Sequence, residues 1–85
     1  RDPKAGVVQL IQQIHQQTEQ WRELEMTRAR KRLAKGDDVD AVMEALAKGL
    51  TQKILHGTLA ELHTGDAEAR EATAQTVSRL FLRER

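Results

Sequence analysis

Three histidines, a knot of aspartates and a run of arginines are the residues of this 85-residue chain with the types to do chemistry. His56 and His63 stand seven apart, about 10 Å along a helix axis, which is too far for two imidazoles to share a zinc ion. The H-E-x-x-H spacing is absent, so all three histidines, His15 included, read as surface or packing residues. There is no Cys, which removes a thiol nucleophile and any disulfide within these residues. G-x-S-x-G, G-x-G-x-x-G and G-x-x-x-x-G-K-(S/T) are all missing. Asp37, Asp38 and Asp40 cluster, but a helix start wants carboxylates there for capping and for its dipole. Glu19, Glu23 and Glu25 read as solvated helix face. The expectation is therefore no catalytic residue, no cofactor-binding residue and no metal ligand in this stretch.

The segment from 22 to 35 holds six positive and two negative charges, a local excess of four able to track phosphates. Arg28, Arg30, Lys31 and Arg32 are its densest part. No aromatic is interleaved with them, and positive charge at a helix C-terminus ahead of an acidic N-terminus follows from helix electrostatics alone. A solvated or intrachain-paired cluster is the leading reading, and an RNA-contacting helical module is the rival. The whole chain carries a formal charge of only +1, from 14 Lys and Arg against 13 Asp and Glu. That balance argues against a dedicated nucleic-acid or membrane-surface protein. No apolar run approaches the roughly 18 residues needed to span a bilayer, and no signal peptide is visible. The chain opens on Arg1, which suggests a piece of something longer.

The elements that carry these residues are helical. Asp2-Pro3 suits a helix start, although Gly6 moves the firm beginning nearer Val7. Apolar residues then recur at Val7, Leu10, Ile11, Ile14, Trp21, Leu24 and Leu33, and Gly36 supplies a left-handed stop. Asp37 and Asp38 open a second helix with Val39, Val42, Met43, Leu46, Leu50, Ile54 and Leu55 at helical spacing. Gly49 sits inside that run, and Gly57 predicts a bend or break before Leu59 and Leu62. Thr64-Gly65-Asp66 reads as a stop and a fresh cap, followed by a stripe through Ala69, Ala72, Thr73, Thr76, Val77, Leu80 and Phe81. The tail Arg83-Glu84-Arg85 is expected to fray. No β alternation longer than a few residues occurs. The reading is one all-α domain over residues 1–85, with helices over roughly 3–35, 38–63 and 66–82.

The first helix is too long for the third to cover, so part of its stripe would stay wet in a monomer. A symmetric second copy resolves this most simply, giving a dimeric helical bundle. The expected interface or core consists of Leu10, Ile11, Ile14, Trp21, Leu24, Met43, Leu46, Leu50, Ile54, Val77, Leu80 and Phe81. Trp21, the single indole, is expected at the interface or its edge. An unrelated helical-bundle adaptor would share all of these features.

One segment carries a family likeness. Leu50-Thr51-Gln52-Lys53-Ile54-Leu55-His56, after Leu33-Ala34-Lys35-Gly36, resembles the Leu-(Thr/Val)-x-Lys-(Leu/Ile)-Leu-His run in the C-terminal dimerisation domain of glutamyl-tRNA reductases. Thr18-Glu19 with Arg22, then Glu25-Met26 with Ala29 and Leu33, and finally Arg79-Leu80-Phe81 are similar to further family positions, so the likeness covers almost the whole chain. Departures are Gly57-Thr58 where the family usually has Pro-Thr, His15 for an Arg and Gln9 for a Pro. The resemblance implies a parent enzyme that reduces the activated carboxyl of glutamyl-tRNA with NADPH, giving glutamate-1-semialdehyde for 5-aminolevulinate and porphyrin synthesis. It implies a catalytic Cys in an N-terminal domain, NADPH in a middle domain, and a long spinal helix leading to this homodimerising piece. None of those catalytic residues maps onto these positions, and no cofactor is expected here. Implied partners are a second copy, glutamyl-tRNA (with Arg28, Arg30, Lys31 and Arg32 as weak contact candidates) and the aminotransferase that takes over the semialdehyde. The implied setting is cytoplasmic, away from membranes.

Overall fold

The computed structural model describes residues 3–83. They form three α-helices: α1, Pro3–Ala34; α2, Val39–Glu61; and α3, Ala67–Phe81. No strand occurs among the described residues. The chain divides into two compact units, Arg1–Leu50 and Thr51–Arg85, and α2 contributes to both. The capping role expected of Asp2 and the fraying of Glu84-Arg85 lie outside the described residues.

The first unit consists of α1 and the opening of α2. At 32 residues α1 is about 48 Å long, and it is helical from Pro3, ahead of the Val7 start that Gly6 suggested. A glycine lowers helix propensity but keeps its N–H, so the hydrogen-bond ladder runs through it. Gly36 ends the helix in the left-handed region at φ +88°. The Asp37 N–H donates to Arg32 O (3.1 Å) and the Gly36 N–H to Leu33 O (3.0 Å), satisfying carbonyls that a helix end leaves free. Asp38 then caps α2, its carboxylate accepting from the Ala41 N–H at 3.0 Å. The apolar core of this unit is small: Ala29 on α1 and Val42 on α2 are buried, with Trp21, Met26, Leu46 and Leu50 half-buried.

Between α1 and α2 lies a cleft of about 230 Å³ walled by Ala29, Val42 and Leu46, with Glu25, Arg28 and Arg32 also lining it. Glu25 is buried at 5% exposure, which corrects its assignment to a solvated face. Its helix position is polar by type, but α2 crosses over it at Gly49, where no side chain keeps the carboxylate out.

In the second unit α2 continues unbroken through Gly57 to Glu61, so the break expected there does not form. Gly57 has nothing within 4 Å where a Cβ would sit, and it removes no backbone donor, as a proline would. The helix stops two residues before the expected 63, where His63 N→Ala60 O (3.1 Å) and Thr64 N→Glu61 O (3.2 Å) tighten the last turn. Gly65 follows at φ +85°, and Asp66 caps α3 by accepting from the Ala69 N–H at 2.9 Å. No residue of α3 is buried; Thr73, Ala74 and Val77 are half-buried.

Candidate self-association surface

Part of what this chain presents to its surroundings is apolar. Every residue from Lys4 to Gln20 is exposed. Within that stretch Val7, Leu10, Ile11 and Ile14 repeat at the 3–4–7 spacing that puts them on one face of α1, each about half exposed. Such a stripe on water-facing helix costs roughly 2 kcal/mol per side chain relative to burial. Leu24, Leu33, Val39 and Met43 add to the apolar surface of the first unit. In the second, Ile54, Leu59, Leu80, Phe81 and Leu82 are exposed, Leu80 at 67%. Scattered apolar residues on a surface need no explanation, but contiguous ones at helical spacing mark an interaction face.

Of the twelve residues expected at the interface or core, none is buried within its own chain. Trp21, Leu46, Leu50 and Val77 are half-buried, while Leu10, Ile11, Ile14, Leu24, Met43, Ile54, Leu80 and Phe81 are exposed. Leu46 lines the α1–α2 cleft, where Ala29 and Val42 form the buried floor. In the second unit, an open groove of about 650 Å³ runs between the end of α2 and α3, walled by Gly57, Thr58, Ala72, Thr76, Val77 and Leu80. Its polar members are hydroxyls and Glu61; the Thr58 and Thr76 hydroxyls donate to Ile54 O (3.2 Å) and Ala72 O (3.3 Å) of their own helices. Nothing there converges on a reacting atom.

Several charged residues of the first unit pair with one another. Arg22 Nη1 donates to Glu19 Oε2 (3.1 Å) and Glu23 Oε1 (3.3 Å), and Arg28 Nη1 to Glu25 Oε2 (3.1 Å). Arg32 Nε donates to Asp37 Oδ2 at 2.8 Å across the α1–α2 turn. Two of the four candidate phosphate contacts, Arg28 and Arg32, are thus engaged in ion pairs. No group of three or more His, Asp or Glu able to hold a metal ion occurs among the described residues.

The Arg32 guanidinium holds the Asp37 carboxyl below its ordinary value, chiefly through its hydrogen bond, with desolvation opposing and the charges of Arg32 and Lys35 adding to the lowering. A carboxylate whose pKa is depressed by folding stabilises the fold above its unfolded value and loses that contribution as pH falls through the lower, folded value. Asp37→Asn should therefore flatten the acid limb of the stability curve below about pH 4 while leaving the neutral region lowered, as acid titration followed by circular dichroism would register.

Comparison with known proteins decides what family this helical chain belongs to. Residues 4–83 match the family model described as glutamyl-tRNAGlu reductase, dimerisation domain. The chain belongs to that family. It is 68% identical over 78 residues to a glutamyl-tRNA reductase of Acidovorax sp. (strain JS42), a match covering 92% of this chain and 18% of the relative. A glutamyl-tRNA reductase of Polaromonas sp. (strain JS666) is 66% identical over 76 residues, covering 89% of this chain and 18% of its own length. The chain thus spans about a fifth of the curated relatives it matches. No solved structure matches it. A dimerisation domain fits helices that leave apolar side chains such as Val7, Leu10, Ile11 and Ile14 exposed. No helix among the described residues is long and apolar enough to cross a membrane.

Proposed function

We propose that these residues are the homodimerisation module at the C-terminal end of a glutamyl-tRNA reductase. The observation that carries this is the stripe of Val7, Leu10, Ile11 and Ile14, half exposed on a helix that offers them no neighbour. A two-fold-related copy covers such a stripe with itself, since an isologous interface is self-complementary. The parent protein then reduces glutamyl-tRNA with NADPH to glutamate-1-semialdehyde, on domains outside this chain, in the cytoplasmic route to 5-aminolevulinate and porphyrins. The names of the relatives, and the lack of a Cys or a dinucleotide loop in this stretch, support that division of labour. Transfer of the semialdehyde to an aminotransferase belongs to the same reading. A tRNA contact through Arg28, Arg30, Lys31 and Arg32 carries less of it, because Arg28 and Arg32 are already paired with Glu25 and Asp37.

Sedimentation of the 85-residue chain across a concentration series tests the reading. The expected result is a species of twice 9.6 kDa that dissociates on dilution. A folded monomer at the highest concentration would overturn it.

A further inference from the structure

The contact between Glu25 and Gly49 goes beyond self-association. Glu25 is the one buried charged side chain among the described residues, in a unit whose buried apolar residues are Ala29 and Val42. A Cβ built on Gly49 would stand 2.6 Å from Glu25 Cδ and closer still to Oε1, nearer than real Cβ atoms come, so the buried carboxylate would have to leave its place to admit one. Each residue is a poor choice taken alone. Glycine weakens a helix interior, and taking a carboxylate out of water costs free energy that its ion pair repays only in part. Together they explain each other: the carboxylate, hydrogen-bonded to Arg28 Nη1 at 3.1 Å, occupies the space that the missing side chain leaves.

The geometry points to a register lock, in which Glu25 of α1 seats only where α2 presents a glycine, so that one alignment of the two helices is selected. Every other position of α2 up to Leu50 carries a Cβ, and sliding α2 by one turn would bring Ala45 beneath the carboxylate. The next glycine along α2, Gly57, is eight residues away, about 12 Å of travel. The lock fixes which residues of α2, Met43 among them, point away from α1. A polar group placed to exclude alternative packings is the best-attested use of a buried charge.

Two glycines of one helix provide the test, read as melting temperatures at one fixed chain concentration. Gly57→Ala meets no neighbour and should raise the melting temperature by about 4–8 °C, the ordinary gain of alanine over glycine in a helix. Gly49→Ala should lower it, because the new methyl and the Glu25 carboxylate claim one space. In a Glu25→Ala background the sign should invert, with Gly49→Ala now raising the melting temperature. If Gly49→Ala stabilises the parent as Gly57→Ala does, the lock does not exist. That comparison needs no Glu25 variant, so it decides the matter even where Glu25→Ala fails to fold. Equal effects of Gly49→Ala in the two backgrounds would overturn it as well.

Discussion

Ile14→Asp should convert the proposed dimer into a species of monomer mass at micromolar concentration. Ile14 is 52% exposed in its own chain and lies on the face of α1 shared with Val7, Leu10 and Ile11. Covering the rest of that side chain with a second copy is worth about 2 kcal/mol. A two-fold interface contains the residue twice, so the loss is about 4 kcal/mol, roughly a thousandfold in the dissociation constant. Burying the new carboxylate without a partner adds to this and cannot subtract from it. Because folding and association are linked, the melting temperature should also fall at fixed concentration and recover as the concentration is raised. Gln16→Asp, on the same exposed stretch, introduces a similar charge without removing an apolar group, and should leave the dissociation constant within about threefold. Sedimentation equilibrium on the three proteins separates these outcomes. An Ile14→Asp chain that remains dimeric with an unchanged melting temperature would remove the α1 stripe from the interface.

The parts of this fold that were legible in the sequence are those decided locally. Gly36 and Gly65 adopt positive φ, and Asp38 and Asp66 cap the helices that follow them, because a turn and its cap are settled within four or five residues. The helical period of the apolar positions is local in the same sense. Gly57 misled because a lone glycine only weakens a helix; whether it breaks depends on its neighbours, and here the ladder continues past it to Glu61. Glu25 was misread for a different reason. Its burial is decided by Gly49, 24 positions later, and the periodicity of α1 alone carries no trace of that crossing. Had the two anomalies been set side by side, a carboxylate on the α1 face that holds Ala29 and a glycine inside an apolar helix, their pairing was discoverable. Ala29, half of the small floor of the first unit, escaped for a related reason, since large side chains attract a prediction of core and alanine does not, whereas Val42 stood in the apolar run read for α2. Where a second copy is to supply the cover, burial of residues such as Leu10 and Ile11 is not a property of one chain at all.

Val42→Asp should abolish folding of the first unit in a way that concentration does not rescue, in contrast to Ile14→Asp. Val42 is 2% exposed, one turn into α2, and its N–H donates to Asp38 O at 3.0 Å. Losing its burial costs about 1.5–3 kcal/mol. The carboxylate that replaces it enters the cleft already lined by Glu25, so it meets a like charge. The two guanidinium groups there, Arg28 and Arg32, already hold Glu25 and Asp37, so the introduced carboxylate would have to share one of them. An uncompensated buried charge typically costs about 3–5 kcal/mol, close to the whole stability of a small domain. Val42→Thr keeps the shape and lets the new hydroxyl donate to the Asp38 carbonyl one turn back, so it should lose only about 1–2 kcal/mol and still fold. Circular dichroism melts over a hundredfold range of concentration discriminate the two lesions. The interface variant regains its transition as the chain is concentrated, because mass action favours the pair, whereas the core variant shows no cooperative transition at any concentration. A Val42→Asp chain that melts within a few degrees of the parent would mean that Val42 and Ala29 are not the floor on which α1 and α2 rest.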